Sequence, residues 1–143
     1  MAITQLSAFL ANRPGTLSQA VGALSGAGIN IRALSVAETS DFGILRIIVS
    51  DPAEARQILS PHTVVSETQV VAVRMADRAG ALQHILTVLE AASINVEYVY
   101  AFPASGTDSA LVVFRVNDVP KAEKVLADNG ETTLSDADLS SLL

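Results

Sequence analysis

Apolar positions alternate in the first ten residues and then recur every three or four residues, which predicts a strand followed by an amphipathic helix. The helical stripe has the spacing i, i+3, i+4 and i+7 and consists of Leu17, Ala20, Val21 and Leu24. Adding 65 to each number gives four more apolar residues, Leu82, Ile85, Leu86 and Leu89. The pattern therefore indicates that the chain contains one unit twice.

The repeat continues on both sides of this helix. The segment GINI at 28–31 corresponds by the same shift to SINV at 93–96, and VSDPAEA at 49–55 corresponds, with a shift of 67, to VNDVPKA at 116–122. The two additional residues fall in a predicted turn around 105–108, where insertions are tolerated. We therefore expect two diverged copies, one at residues 1–66 and one at 67–143.

Each copy predicts the order strand, helix, strand, strand, helix, strand. The third strand is rich in β-branched residues, as ILRIIV or ALVVFRV, and Asp51 and Asp118 are predicted N-caps of the second helix. The last strand of the second copy is only TTL at 132–134, and the tail at 135–143 predicts one helical turn. This order belongs to the α+β class, with two βαββαβ modules in tandem and helices on one face of antiparallel sheets.

The third strand is apolar on both of its faces. In the first copy Leu45, Ile47 and Val49 point to one side, and Ile44 and Ile48 point to the other. A sheet face of this kind needs a cover, either the other copy or a second chain. We therefore predict association of this face and a homodimer.

A short loop joins the first strand to the first helix in each copy, NRPGTL at 12–17 and DRAGAL at 77–82. Backbone N–H groups at a helix N-terminus favour an anion such as a carboxylate. Pro14 restricts φ, and Gly15 permits a sharp turn and close approach of a ligand. Asn12 and Asp77 can cap a backbone or hold an ammonium group. A carboxylate and an ammonium group together describe a free amino acid.

Four segments, NRPGTL, NIRALSVAETSDFGILRIIVSDP, NVEYVYAF and FRVND, resemble the ACT-domain family, and in particular small proteins made of two ACT domains in tandem. The resemblance extends from Ile3 to about Gly130. It implies two ferredoxin-like βαββαβ modules that bind small regulatory ligands, most often amino acids. It also implies that the ligand lies between two ACT modules, at the first loop and the neighbouring second strand.

The resemblance assigns ligand contact to the matching positions of both copies. In the first copy these are Asn12, Pro14, Gly15, Thr16, Leu17, Asn30 and Ile31. In the second copy they are Asp77, Gly80, Ala81, Leu82, Asn95 and Val96. Asn30 and Asn95 are equally well explained as turn formers.

The second copy departs from the first at its loop and its second strand. Ala79 replaces the proline, which is expected to loosen that loop, and Tyr98 and Tyr100 occupy the positions of Ala33 and Ser35. We expect these tyrosines to join the loop of the first copy in one asymmetric pocket. The alternative is that they belong to an inter-domain core.

Composition excludes several other classes of function. The formal net charge of −6 argues against nucleic acid, and the absence of cysteine removes thiolate metal sites. No stretch approaches the roughly 20 apolar residues of a membrane span. The start of the chain does not resemble a secretory signal, so we predict a cytoplasmic protein without contact to membranes.

An enzyme is not indicated, because the only histidines, His62 and His84, fall at unrelated points of the two copies without a partner set. An acylphosphatase-like enzyme shares the element order, but NRPGTL is a poor phosphate cradle. We predict a non-catalytic regulatory protein that binds an amino acid, needs no cofactor or metal, and acts on a biosynthetic enzyme or another regulated protein. The alternative is a constitutive scaffolding subunit of a metabolic enzyme without a working pocket.

Overall fold

The computed structural model describes residues 2–104 and 108–142, without the side chains of residues 140 and 142. The predicted insertion in the turn around 105–108 therefore lies largely outside the described residues. The elements in chain order are β1 Ile3–Ala11, α1 Thr16–Gly26, β2 Ile31–Glu38, β3 Phe42–Val49, α2 Pro52–Leu59, β4 Val65–Ala76, α3 Ala81–Ala91, β5 Val96–Pro103, β6 Ser109–Val116, α4 Val119–Asp128, β7 Thr132–Leu134 and α5 Asp136–Leu142. This confirms the prediction of two βαββαβ modules.

The chain divides into two compact units, which we call the first unit and the second unit. The first unit is Thr4–Thr68, and the second is Gln69–Leu143 together with Met1–Ile3. The sequence predicts separate strands at the end of the first copy and the start of the second. The structure has one continuous strand there, β4, which begins in the first unit and continues into the second.

The sheet of the first unit has β3 in the middle, paired antiparallel with β1 and with β2. Leu6 and Leu34 both lie opposite Ile47, so the three side chains share one face of the sheet. Leu6 and Ile47 are buried in the core under the helices, whereas Leu34 is exposed. After α2 the chain returns beside β1, where the N–H of Phe9 donates to the carbonyl of Val64 at 3.1 Å. The pairings with β3 therefore fix the registers of β1 and β2.

The sheet of the second unit follows the same plan. The strand β6 pairs antiparallel with β5 and with β4, and the short β7 pairs with the other side of β4. Val73 lies opposite Val112 on one side and Thr133 on the other. The predicted TTL strand is thus present, and it is held by three residue pairs only.

Each unit has its own apolar core between helices and sheet. The first core is centred on Leu6, Ala8, Leu24, Leu45, Ile47 and Leu59, and the second on Val71, Val73, Ile85, Leu89, Phe114 and Leu126. Burying such a side chain fully contributes about 1.5–3 kcal/mol. On the sheet face away from the helices, Ile48, Leu111 and Val113 are also buried.

The tail forms a helix of seven residues, longer than the predicted single turn. A reciprocal cap begins it, because Asp138 Oδ2 accepts from the N–H of Ser135 at 2.8 Å, and the N–H of Asp138 donates to Ser135 Oγ at 3.2 Å. These hydrogen bonds from the Ser135 backbone and hydroxyl lower the pKa of the Asp138 carboxyl. Among the described residues, no helix is long and apolar enough to span a membrane.

Candidate functional site

The two predicted loops have the same backbone conformation. Gly15 precedes α1 with φ 91° and ψ −17°, and Gly80 precedes α3 with φ 89° and ψ −15°. This left-handed region is costly for residues that carry a Cβ, which explains the glycine in both copies. The second loop therefore keeps the geometry of the first, although Ala79 stands in the place of Pro14.

The helices that follow these loops begin without a side-chain cap. Neither α1 nor α3 has a side-chain hydrogen bond at its N-cap or an acidic residue in its first turn. The second helix of each unit differs: Asp51 Oδ1 accepts from the N–H of Glu54 at 3.0 Å, and Asp118 Oδ1 accepts from that of Lys121 at 3.1 Å. The N–H of Ala81 donates to the carbonyl of Arg78 at 3.3 Å. The N–H groups of Leu17 and Ser18 in α1, and of Leu82 and Gln83 in α3, remain available to an anion.

Polar contacts fix the first loop to the β2–β3 turn. The N–H of Asn12 donates to the carbonyl of Asp41 at 2.9 Å, and its Nδ2 donates to the carbonyl of Thr39 at 3.2 Å. Thr16 Oγ1 donates to the carbonyl of Ala11 at 2.7 Å, which closes the loop from inside. The Asn12 side chain thus braces this loop instead of capping α1.

The second loop keeps the backbone bond but leaves a charge at its start. The N–H of Asp77 donates to the carbonyl of Asp108 at 2.8 Å. In the described part of the chain, the Asp77 carboxylate itself has no hydrogen-bond or ion-pair partner. Ala81 replaces Thr16, so this loop has no hydroxyl to close it.

Leu17 and Leu82, the second residues of their helices, are partly exposed, at 41% and 38%. An apolar side chain therefore stands beside each set of available N–H groups. This combination suits a ligand that joins a carboxylate to an apolar group.

The predicted second-strand residues lie at the other end of the first helix in each unit. Asn30 follows α1, whose 11 residues span about 16 Å. Its backbone is held by Ser50, since the N–H of Asn30 donates to Ser50 Oγ at 3.0 Å, and Asn95 is held in the same way by Asn117 Oδ1 at 3.0 Å. Within one unit, Asn30 and Ile31, or Asn95 and Val96, therefore do not reach the loop.

Asn95 and Val96 line an open depression of about 480 Å³ at the end of α3. Ser93, which also lines it, has φ 58°, where the first copy has Gly28 with φ 75°. The wall of the depression is mixed, because Leu86, Leu89 and Ile94 line it together with Glu90 and Ser93.

Tyr98 and Tyr100 are half-buried on the sheet face away from the helices, opposite Arg115 and Val113. Along β6, Val113 is four residues beyond Ser109, which pairs with the last residue of β4. At about 3.4 Å per residue, Tyr100 is displaced by about 14 Å along the strand direction from the start of the second loop, and it also lies two strands away across the sheet. Within the second unit the tyrosines and this loop are separate.

The sequence did not predict a cavity of about 430 Å³ that lies beside the first loop, inside the first unit. Loop residues Arg13 and Thr16 line it, together with His62 and Thr63 from the connection after α2. A signal for it exists in the repeat, because Ala20 and Ala23 stand where the second copy has Ile85 and Val88.

In the described part of the chain, neither histidine belongs to a group that could hold a metal ion. His84 Nδ1 lies 2.7 Å from Glu131 Oε1, on the surface of the second unit. Within residues 2–104 and 108–142, no group of three or more His, Asp or Glu side chains is placed to hold a metal ion.

Comparison with known proteins gives a family match over the whole chain, because a model described as an ACT domain pair matches residues 1–143. A crystal structure of a protein from Bacteroides thetaiotaomicron is 38% identical, with a TM-score of 0.92, over 99% of this chain and 98% of that one. The ligand-free regulatory subunit of aspartate kinase from Thermus thermophilus is 14% identical, with a TM-score of 0.66, over 87% and 88%. Aspartate kinase from Clostridium acetobutylicum is 16% identical, with a TM-score of 0.55, over 89% of this chain and 33% of that enzyme. No curated protein matches the sequence.

Proposed function

The chain belongs to the ACT domain family, as a pair of ACT domains, and from this premise we propose that it binds a free amino acid and reports its concentration through a change in conformation or oligomeric state. An ACT domain pair is a regulatory domain and not a catalytic one. The output must then pass to another molecule, because the ligand stabilises one arrangement and a partner prefers that arrangement.

The observation that carries this proposal is the pair of uncapped helix N-termini. The second helix of each unit has an aspartate cap, whereas α1 and α3 have none and start from a left-handed glycine. A ligand carboxylate would accept hydrogen bonds from the N–H groups of Leu17 and Ser18, or of Leu82 and Gln83, and these bonds are strengthened by its charge. The free Asp77 carboxylate would pair with the ligand ammonium at the second loop.

The remaining predicted contacts require more than one ACT module. Asn30 and Ile31 lie about a helix length from the loop of their own unit, so a ligand at a loop would meet such residues only from another module. Either the second unit of the same chain or a second copy of the chain could supply that module, and the proposal includes a homodimer. It is supported by apolar side chains on β2 and at the start of β3, since Leu34, Val36 and Phe42 are 52%, 48% and 56% exposed.

We propose a biosynthetic enzyme as the regulated partner. Proteins described as regulatory subunits of aspartate kinase share this fold at 14% identity, and this likeness of fold supports the proposal. The alternative is a scaffolding subunit that binds its partner constitutively and has no ligand.

Thermal shift with each proteinogenic amino acid, followed by calorimetry on any hit, tests the proposal. A ligand at 100 times its dissociation constant stabilises the protein by about 2.7 kcal/mol, so a selective hit is readily visible. If no amino acid raised the melting temperature, the result would contradict the proposal and favour the scaffolding subunit.

Two charge substitutions then locate the hit. Ser18→Glu and Gln83→Glu place a carboxylate in the first turn of α1 and α3, where it favours the helix and repels a ligand carboxylate. We expect one or both variants to weaken binding by roughly tenfold or more without loss of stability. The control is Ser25→Glu, which adds the same charge near the other end of α1. An affinity for the amino acid that is unchanged in both variants would rule out the loops as the site.

A further inference from the structure

The cavity of the first unit has an apolar floor that the repeat explains. Leu10, Ala20, Ala23 and Leu59 line it, and three of these four side chains are buried. It lies on the helix side of the sheet, because Leu10, Ala20 and Leu59 also belong to the first core. All of its lining residues fall within residues 9–63, so the first unit forms it alone.

The second unit fills the corresponding space. Ile85 and Val88 replace Ala20 and Ala23, and both pack against the second core together with Met75. His84, at the position of Gln19, closes the surface above them through its contact with Glu131 at 2.7 Å. The cavity is therefore a difference between two copies of one module, and it results from two small side chains on one face of α1.

The polar rim of the cavity carries one cation, Arg13, and no acid. Arg13 and His62 line it together with the neutral Thr16, Gln19 and Thr63, and none of its lining residues is Asp or Glu. In the described part of the chain, neither the Arg13 side chain nor the His62 side chain has a hydrogen-bond or ion-pair partner. A basic mouth of this kind is unusual in a chain with a net charge of −6.

We propose that this cavity, which shares Arg13 and Thr16 with the first loop but is not lined by Leu17 or Ser18, is a second ligand site that takes a small carboxylate with an apolar chain and no ammonium group. The volume of about 430 Å³ lies within the range of small-molecule pockets, about 300–1,000 Å³. The apolar chain packs on Leu10, Ala20 and Leu59, and the carboxylate lies at Arg13, whose planar guanidinium matches it. An amino acid is disfavoured, because its ammonium would lie beside the like charge of Arg13 with no acid among the lining residues to pair with it.

Three ligands with one carbon skeleton test the chemistry: isocaproate, isocaproamide and leucine. We expect calorimetry to show isocaproate binding at least about tenfold more tightly than isocaproamide. Leucine, whether or not it binds at the loops, should leave the amide resonances of Ala20, Ala23 and Thr63 unchanged. Amide resonances of Ala20, Ala23 and Thr63 should shift in NMR spectra as isocaproate is added. Equal binding of the amide, or shifts confined to the helix starts at Ser18 and Gln83, would overturn the proposal.

Substitutions that introduce the residues of the second copy test whether isocaproate binds in this cavity. Ala20→Ile with Ala23→Val fills the cavity and should weaken isocaproate binding by roughly tenfold or more, whereas Ala53→Ile, on an exposed position of α2, should leave it unchanged. Retained binding in the filled variant would refute the site. If that variant does not fold, Arg13→Gln must lower the affinity for isocaproate, and unchanged affinity would refute the site equally. Amino-acid binding at the loops should survive the filled variant, so the two proposals fail separately.

Discussion

Replacing two glycines of the first unit by alanine should change its stability in opposite directions. Gly15 precedes α1 with φ 91°, and Gly22 lies inside α1 on its exposed side. A Cβ added at either position meets no atom within 4 Å. Steric contacts therefore cancel from the comparison, and only the backbone conformation of the two residues differs.

The magnitudes follow from that conformation. An alanine at Gly15 must adopt the left-handed region, which costs about 1–2 kcal/mol. Alanine also reduces the conformational freedom of the unfolded chain, which stabilises the folded state by about 0.4–1 kcal/mol. The free energy of unfolding therefore falls by about 1 kcal/mol. At Gly22 the helical conformation suits alanine, and Gly22→Ala should stabilise by about 0.5–1 kcal/mol.

Urea denaturation followed by circular dichroism measures both changes, provided that the denaturant dependence of the variants is equal. For a domain of this size 1 kcal/mol corresponds to a shift of about 4–8 °C in Tm. Gly80→Ala, at φ 89°, provides an independent repeat of the Gly15 experiment in the second unit.

Changes of the same sign in the free energy of unfolding of Gly15→Ala and Gly22→Ala would refute the reasoning. If Gly15→Ala stabilised the protein as Gly22→Ala does, residue 15 would not be left-handed, and the α1 N-terminus would have another geometry. The proposed carboxylate site would then lose its structural basis at the first loop.

Two further predictions concern helix starts. Asp51→Ala and Asp118→Ala should each lower the free energy of unfolding by about 1 kcal/mol in urea titrations, because each removes a side-chain cap, and no change in either variant would contradict the assigned caps. The carboxyl of Asp138 should titrate by NMR below the ordinary value of 3.8, since hydrogen bonds from Ser135 favour its charged form. A depressed pKa contributes stability above the unfolded-state pKa and loses it as pH falls, so α5 should fray in acid, and a titration at or above 3.8 would contradict the cap.

The repeat and its elements could be predicted from the sequence because they depend on local signals. The stripe at Leu17 and Leu24, the aspartates before the second helices and the glycines of the loops act through residues a few positions away. The single strand β4 could not be predicted, because strand continuity depends on pairing with residues far along the chain. The tail helix α5 is longer than one turn because Ser135 and Asp138 cap its start reciprocally, and this pair is a local signal that the sequence also contains.

In the candidate site, too, some features could be predicted from the sequence and others depended on the tertiary structure. The sequence by itself determined that two glycine turns precede helices, since a left-handed residue without a Cβ is a local requirement. Only the tertiary structure decided that Asn12 braces the β2–β3 turn and that Asn30 lies a helix length from the loop. The cavity at Ala20 and Ala23 also became visible only in the tertiary structure. An alanine on the apolar stripe of a helix is interpreted as a core residue until the side chains opposite it are known. Packing between distant segments decides whether such a position is filled or open.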